Sequence, residues 1–246
     1  MSAEPPRFAL LACRVFEDEI AAHMPPGARV GPVRYFEVGL HDHPENLRRE
    51  LQDAILAFDS DDTIGAVVLA YALCGRGTAG LRAGRHPLVI PRAHDCMTVF
   101  MGSKEAYAAH QSQTPDAYYF TPGWMREKRT PGPARLDSLR KEFSEKFDPD
   151  DVEFLIQSER DVWARHGRAV YMDLGTPGSE ACEACARADA AWLGWQFERL
   201  PGDPSLLRDL LAGNWNDARF QVVPPGGRLA HSPDAMIFRA DPPQAQ

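Results

Sequence analysis

Apolar residues along this chain come in two kinds of pattern. Short unbroken runs read as strands covered on both faces, and longer stretches with apolar residues three and four apart read as amphipathic helices. Phe8-Ala9-Leu10-Leu11-Ala12 is the first run. It ends at Cys13, and residues 15–23 follow as a helix with Glu17, Asp18 and Glu19 outside, stopped by Pro25, Pro26 and Gly27. A second strand over 33–40 enters His41-Asp42-His43-Pro44. A helix is predicted to start there, with Pro44 near its first position and Leu47, Leu51, Ile55 and Phe58 at helical spacing. The run over 64–73 is the most apolar and is expected at the centre of a sheet. It ends in the glycine-rich turn Cys74-Gly75-Arg76-Gly77-Thr78-Ala79-Gly80.

The next run, 88–90, leaves through Pro91-Arg92-Ala93-His94-Asp95-Cys96 into the first turn of a helix. Residues 103–111 continue helical. Ala117-Tyr118-Tyr119-Phe120 then reads as an aromatic strand, in which Tyr119, with Trp124 beyond it, is placed to wall a pocket. Residues 125–166 are charged and helical, broken at Pro131-Gly132-Pro133. The strand–helix rhythm then returns: a strand at 169–172, a helix capped by Ser179, a strand at 195–200, a short helix at 206–211 and a last strand at 220–223. Asp173 stands at a strand end, where an Asx turn before Gly175 competes with a role in a site.

This rhythm predicts an α/β protein of two Rossmann-like lobes, each a mainly parallel sheet flanked by helices, joined by a helical segment. The expected boundaries are 1–124 for the first lobe, 125–166 for the helical connector, 167–241 for the second lobe and 242–246 for a frayed tail.

Composition narrows the function. The net charge is −8, and Lys and Arg are not clustered, which argues against nucleic-acid and anionic-membrane partners. No apolar run reaches the ~20 residues of a membrane span. The first residues lack the basic and apolar regions of a secretion signal, so a cytoplasmic setting is expected. There the five cysteines are expected as thiols or ligands rather than disulfides.

The candidate chemistry lies at strand ends. The predicted strands deliver in turn Cys13, His41, Cys74, and the pair His94 and Cys96. In a parallel sheet these fall along one edge, outside the carboxyl ends, where α/β proteins bind ligands. Soft thiolates with imidazole suit zinc or an iron–sulfur cluster, zinc being preferred. Cys13, Cys74, Cys96 and His94 are the expected metal ligands. His94, Asp95 and His41 are the candidate catalytic residues, with Asp95 orienting His94. Gly75, Arg76 and Arg92 are candidates to hold a cofactor or an anionic substrate. Gly75, Gly77 and Gly80 satisfy G-x-G-x-x-G, but the matching acid would be Asp95, itself in a strand exit, and a tight turn explains the glycines better. Cys182-Glu183-Ala184-Cys185 lies inside a helix whose apolar face is read as Ala181, Cys185, Ala188 and Trp192. It is assigned to packing.

The sequence resembles the bacterial and archaeal family known as domain of unknown function 1638. The resemblance rests on Leu11-Ala12-Cys13, Leu40-His41 with Pro44-Glu45, and Tyr71-Ala72-Leu73-Cys74-Gly75. It continues through Ile90-Pro91-Arg92-Ala93-His94-Asp95-Cys96, Gly102-Ser103, the stretch 118–124 and Val223-Pro224-Pro225-Gly226. It implies an association with corrinoid-dependent methyl transfer. His94-x-Cys96 with a distant cysteine is also similar to the zinc motif of cobamide:thiol methyltransferases, although those are longer, barrel-shaped enzymes.

Three functions therefore compete. The first is a zinc or iron–sulfur enzyme acting on a small, anionic substrate, in methyl transfer or one-carbon metabolism and with a protein partner from such a system. The second is a metal-free cysteine enzyme with His94 as acid–base. The third is a corrinoid-associated accessory protein with His94 or His41 as axial ligand.

Overall fold

The computed structural model describes residues 7–243. The N-terminal residues read for a secretion signal, and 244–246 of the expected tail, lie outside the described residues. Strand β1 (Arg7–Cys13) passes through a 3-10 turn into α1 (Glu17–His23), followed by β2 (Val30–Phe36), a second 3-10 turn (Leu40–Asp42) and α2 (Pro44–Leu56). Then come β3 (Ile64–Ala70), β4 (Leu88–Pro91), α3 (Cys96–Phe100), α4 (Lys104–Gln113), β5 (Ala117–Phe120) and α5 (Pro122–Arg126). Helices α6 (Pro133–Ser144) and α7 (Pro149–Trp163) precede β6 (Arg168–Asp173), α8 (Ser179–Leu193) and β7 (Gln196–Pro201). The chain closes with α9 (Ser205–Ala212), β8 (Phe220–Val223), β9 (Arg228–His231) and β10 (Phe238–Asp241).

The protein is a mixed α/β structure whose largest sheet is mainly parallel. Five strands run in the order β2-β1-β3-β4-β8, with β8 alone antiparallel. The most apolar strand, β3, is the middle one, as its sequence predicts. Residues 8–13 of β1 are all buried, the signature of a strand covered on both faces. Helix α2 starts at Pro44, whose missing N–H costs nothing in the first turn. It buries Leu47, Leu51, Ala54 and Ile55, and each of its leucines contributes roughly 1.5–3 kcal/mol by leaving water. Helix α9 does the same with Leu206, Leu207, Leu210 and Leu211.

The chain divides into two compact units. One holds the described residues up to Tyr107 and those from Asp203 onward; the other is Ala108–Gly202. These limits differ from the expected 124 and 166. The cause is β8, which the strand–helix rhythm assigns to the C-terminal lobe. It pairs with β4 instead, Leu88 opposite Val223 and Pro91 opposite Phe220, so the chain after Gly202 completes the first sheet. The hairpin β9–β10, not anticipated from sequence, belongs to the same unit, and Gly80 N–H donates to Leu229 O at 2.7 Å.

The second unit carries its own parallel sheet, β5-β6-β7. The aromatic strand and the supposed connector are integral to it. Phe120, Ala169, Tyr171, Ala186 and Ala190 form one core, and Leu136, Leu139, Val152, Ile156 and Trp163 of α6 and α7 form another. Asp148 caps α7 by accepting from Asp150 N and Asp151 N, each at 3.1 Å.

Candidate active site at the carboxyl edge of the five-stranded sheet

The strand order reverses between β1 and β3. The chain goes from β1 outward to β2, then returns to the other side of β1 as β3, and ligands bind at such switch points. Cys13 is the last residue of β1 and lies opposite Phe36 of β2. Beyond β3 the chain stays extended beside the exit of β4: Leu73 N–H donates to Ala93 O at 2.9 Å and Cys74 N–H to His94 O at 3.0 Å. It then reverses through three consecutive residues with left-handed backbone, Cys74 (φ 47°), Gly75 (φ 61°) and Arg76 (φ 69°). For Cys74 and Arg76 this conformation costs about 1–2 kcal/mol each, a strain that recurs where a side chain must be held for function. Gly77 closes the turn under α2: a Cβ there would fall 2.7 Å from Leu47 Cδ2 and 3.1 Å from Cys74 O.

Cys13, Tyr71 and Cys74 form one electrostatic group. Burial pushes the Cys74 thiol up to about 12, outweighing a hydrogen bond involving the Ala72 backbone that lowers it, with smaller upward contributions from negative charge at Cys13 and Asp95. Although Cys74 is partly exposed as a residue, it is the shelter of its sulfur that governs the titration. The Tyr71 hydroxyl is likewise raised above its ordinary value, first by burial and then by Cys13, Cys74 and Glu50. Both therefore keep their protons at neutral pH. Tyr71 is 2% exposed, its ring lies edge-on to Phe36 at 6.2 Å, and its hydroxyl is sealed from solvent with no hydrogen-bond partner among the described residues. A buried, unpaired hydroxyl costs roughly 1–3 kcal/mol, which a bound polar group would recover.

The other expected residues divide. His94 adjoins Cys74 through the backbone bond given above, and its side chain is exposed. Cys96 opens α3 on the same edge and is half-buried. His41 lies in the 3-10 turn after β2, its ring 3.7 Å from Asp42. Arg76 is exposed, and its carbonyl accepts from Arg48 at 3.0 Å.

Asp95 does not orient His94. It caps α3, Oδ1 accepting from Thr98 N at 3.1 Å, while Oδ2 accepts from the Tyr107 hydroxyl at 2.9 Å. Arg92 does not face a ligand either. It is buried and donates to the carbonyls of Asp217, Met236 and Phe238 at 2.7 Å each and to Gln221 Oε1 at 3.0 Å. Those four bonds tie the exit of β4 to β8, β10 and the loops beside them. Gly75 serves a turn that no helix follows before β4, so the glycine spacing does not build a dinucleotide fingerprint. Asp173 makes the Asx turn, accepting from Gly175 N, and pairs with Arg199 at 3.2 Å.

The chemistry of the donor set suits a soft metal. Among the described residues no three His, Cys, Asp or Glu side chains come together as a group that could hold a metal ion. A structural zinc site needs four ligands and a catalytic one three from the protein.

Sequence reasoning passed over Tyr71, because a tyrosine inside an apolar run reads as core. The cue was its place one residue past the β3 segment and three before Cys74. It also misread α8. Ala181, Cys185, Ala188 and Trp192 are exposed, and the buried face is Ala186 and Ala190, with Cys182 packed against them.

The fold and site define an α/β protein with a cysteine–tyrosine cluster at the carboxyl edge of a mainly parallel sheet. The chain belongs to the family described as "Protein of unknown function (DUF1638)", whose model matches residues 35–211. No curated protein and no solved structure matches it.

Proposed function

We propose that the protein is a metal-free cysteine enzyme acting on a small molecule at the β1/β3 switch point. Cys13 and Cys74 act as the thiol pair, and the Tyr71 hydroxyl donates a hydrogen bond to the substrate. The observation that carries this reading is the Tyr71 hydroxyl, buried and unpartnered beside two thiols. Cys74 and Tyr71, both protonated, serve as donors toward a substrate oxygen where negative charge develops. Cys13 supplies the sulfur that accepts a proton from the substrate or bonds to it. His94, exposed beside Cys74, exchanges protons with solvent. Arg76 remains the candidate for an anionic substrate group. A cytoplasmic setting belongs to this proposal, supported by five cysteines of which none is in a disulfide. So does the description of each unit as a Rossmann-like lobe, supported by parallel strands in both.

Metal-dependent methyl transfer is the second reading, favoured by the placement of Cys13, Cys74 and Cys96 along one sheet edge. One experiment separates the two. Protein purified anaerobically without added metal is analysed for zinc and iron, and its absorbance is recorded. The expected result is no stoichiometric metal and no brown band near roughly 400 nm. Stoichiometric zinc or iron that disappears in Cys74→Ser would overturn the metal-free reading and establish the other.

A further inference from the structure

The second unit contains a cleft of about 430 Å³ unrelated to the strand-end site. Its lining includes Cys182, Cys185 and Asp189 of α8, together with Arg126, Lys128 and Arg135. The three α8 residues are spaced i, i+3 and i+7, so they share one face of the helix. Lys128 is held in the left-handed region at φ 50°, and Asp189 packs so closely on Gly132 that a Cβ there would lie 2.7 Å from its carboxyl carbon. Among the described residues Asp189 has neither a hydrogen bond nor an ion pair, and burial raises its carboxyl to about 6. Cys182 is half-buried and Cys185 exposed, and neither is in a disulfide.

We propose that Cys182 and Cys185 form a redox-active dithiol that reduces small anionic disulfides bound in this cleft, with Asp189 as proton acceptor. Helix geometry puts the two Cα atoms about 5 Å apart, inside the roughly 4.4–6.8 Å range of disulfides. Their Cβ atoms, about 5–6 Å apart in a regular helix, must approach by an ångström or more. That shift falls on the first turns of α8, where the N-cap is Gly178 and no side chain caps the helix.

The reaction balances with the disulfide as oxidant. The Cys185 thiol loses its proton to Asp189, and the thiolate attacks one sulfur of the bound disulfide. A mixed disulfide forms and the first thiol departs, taking up a proton. Cys182, deprotonated in turn, attacks the Cys185 sulfur. The Cys182–Cys185 bond forms and the second thiol leaves. Two electrons pass from the protein to the substrate, and two protons end on the released thiols. The cationic residues at the cleft draw in a negatively charged partner.

The test uses the full chain in reduced form, treated separately with glutathione disulfide, which is anionic, and with cystamine, which is cationic. Peptide mapping by mass spectrometry follows the loss of two hydrogens from the peptide carrying Cys182 and Cys185. The expected result is an internal disulfide there, formed roughly tenfold faster with glutathione disulfide. Cys182→Ser should stop at a mixed disulfide on Cys185, and Lys128→Ala should reduce the preference for the anionic probe. Asp189→Asn should slow the reaction roughly a hundredfold and remove the limb of its pH profile due to that carboxyl. Equal rates with the two probes, or oxidation that reaches Cys13, Cys74 or Cys96 while this pair stays reduced, would overturn the proposal. Neither readout depends on what the strand-end cysteines do.

Discussion

Tyr71 carries a hydroxyl that the fold itself does not satisfy, and this makes a substitution informative. Tyr71→Phe keeps the ring against Phe36 and removes only the unpaired oxygen, so stability in urea should stay equal or rise by up to about 1 kcal/mol. Loss of ligand binding or turnover alongside unchanged stability would mark the hydroxyl as functional, whereas a marked fall in stability would show that it has a structural partner. Cys74 makes a second prediction. With its thiol pushed up to about 12, its alkylation at about pH 8 should run roughly a thousandfold slower than that of a free thiol. Rapid labelling of Cys74 in a mass-mapped digest would contradict this. Sequence showed which residue types gather at the edge of the first sheet, since each of the first four predicted strands stops at a Cys or close to a His. It could not show which way each side chain turns. Arg92 and Asp95, the polar neighbours of His94, find their partners among carbonyls, hydroxyls and helix N–H groups supplied from as far as position 238.

At the scale of elements, the Arg92 bonds fix how β4 meets the C-terminal strands. Removing the guanidinium takes this donor from the Asp217 and Phe238 carbonyls and from Gln221 Oε1, while Met236 O keeps the Phe238 N–H. Arg92→Met should therefore destabilise by about 3 kcal/mol or more, with amide exchange rising first in β8 and β10. A ligand-binding arginine would instead leave stability intact when replaced. Gly77→Ala is expected to lose about 1–3 kcal/mol in urea unfolding, because the added methyl overlaps Leu47 of α2 and crowds the strained turn. The elements themselves were largely legible: unbroken apolar runs gave β1, β3, β4 and β6, and helical spacing after Pro44 gave α2. The hairpin β9–β10 was not, since Arg228–His231 is short and lacks alternation, and its register depends on the Leu81–Leu229 bond from a distant turn. Helix α8 was recognised with its buried face reversed, because alanine and cysteine are small enough to suit either side.

For the whole molecule, charge and chain order matter more than any single contact. Asp189 links stability to pH. Its folded carboxyl titrates near 6, above the unfolded value, so the folded state binds the extra proton between about 4 and 6. The contribution of Asp189 to stability is therefore most favourable below that window and falls as pH rises through it, by on the order of 1 kcal/mol once solvent screening is allowed for. Arg126, Lys128, Arg135, Cys182 and Cys185 line the same cleft, and Asp189→Asn should flatten this dependence in thermal melts between about pH 4 and 7. The antiparallel seam between β4 and β8 has a consequence for synthesis. Ala108–Gly202 is one uninterrupted run, so everything its sheet requires is synthesised before β8. The five-stranded sheet must meanwhile wait with the β4 edge unpaired, a long-range closure of the kind that slows folding. Released chains that end shortly after Gly202 should thus carry a protease-resistant 108–202 unit, while the residues before it are still readily cleaved.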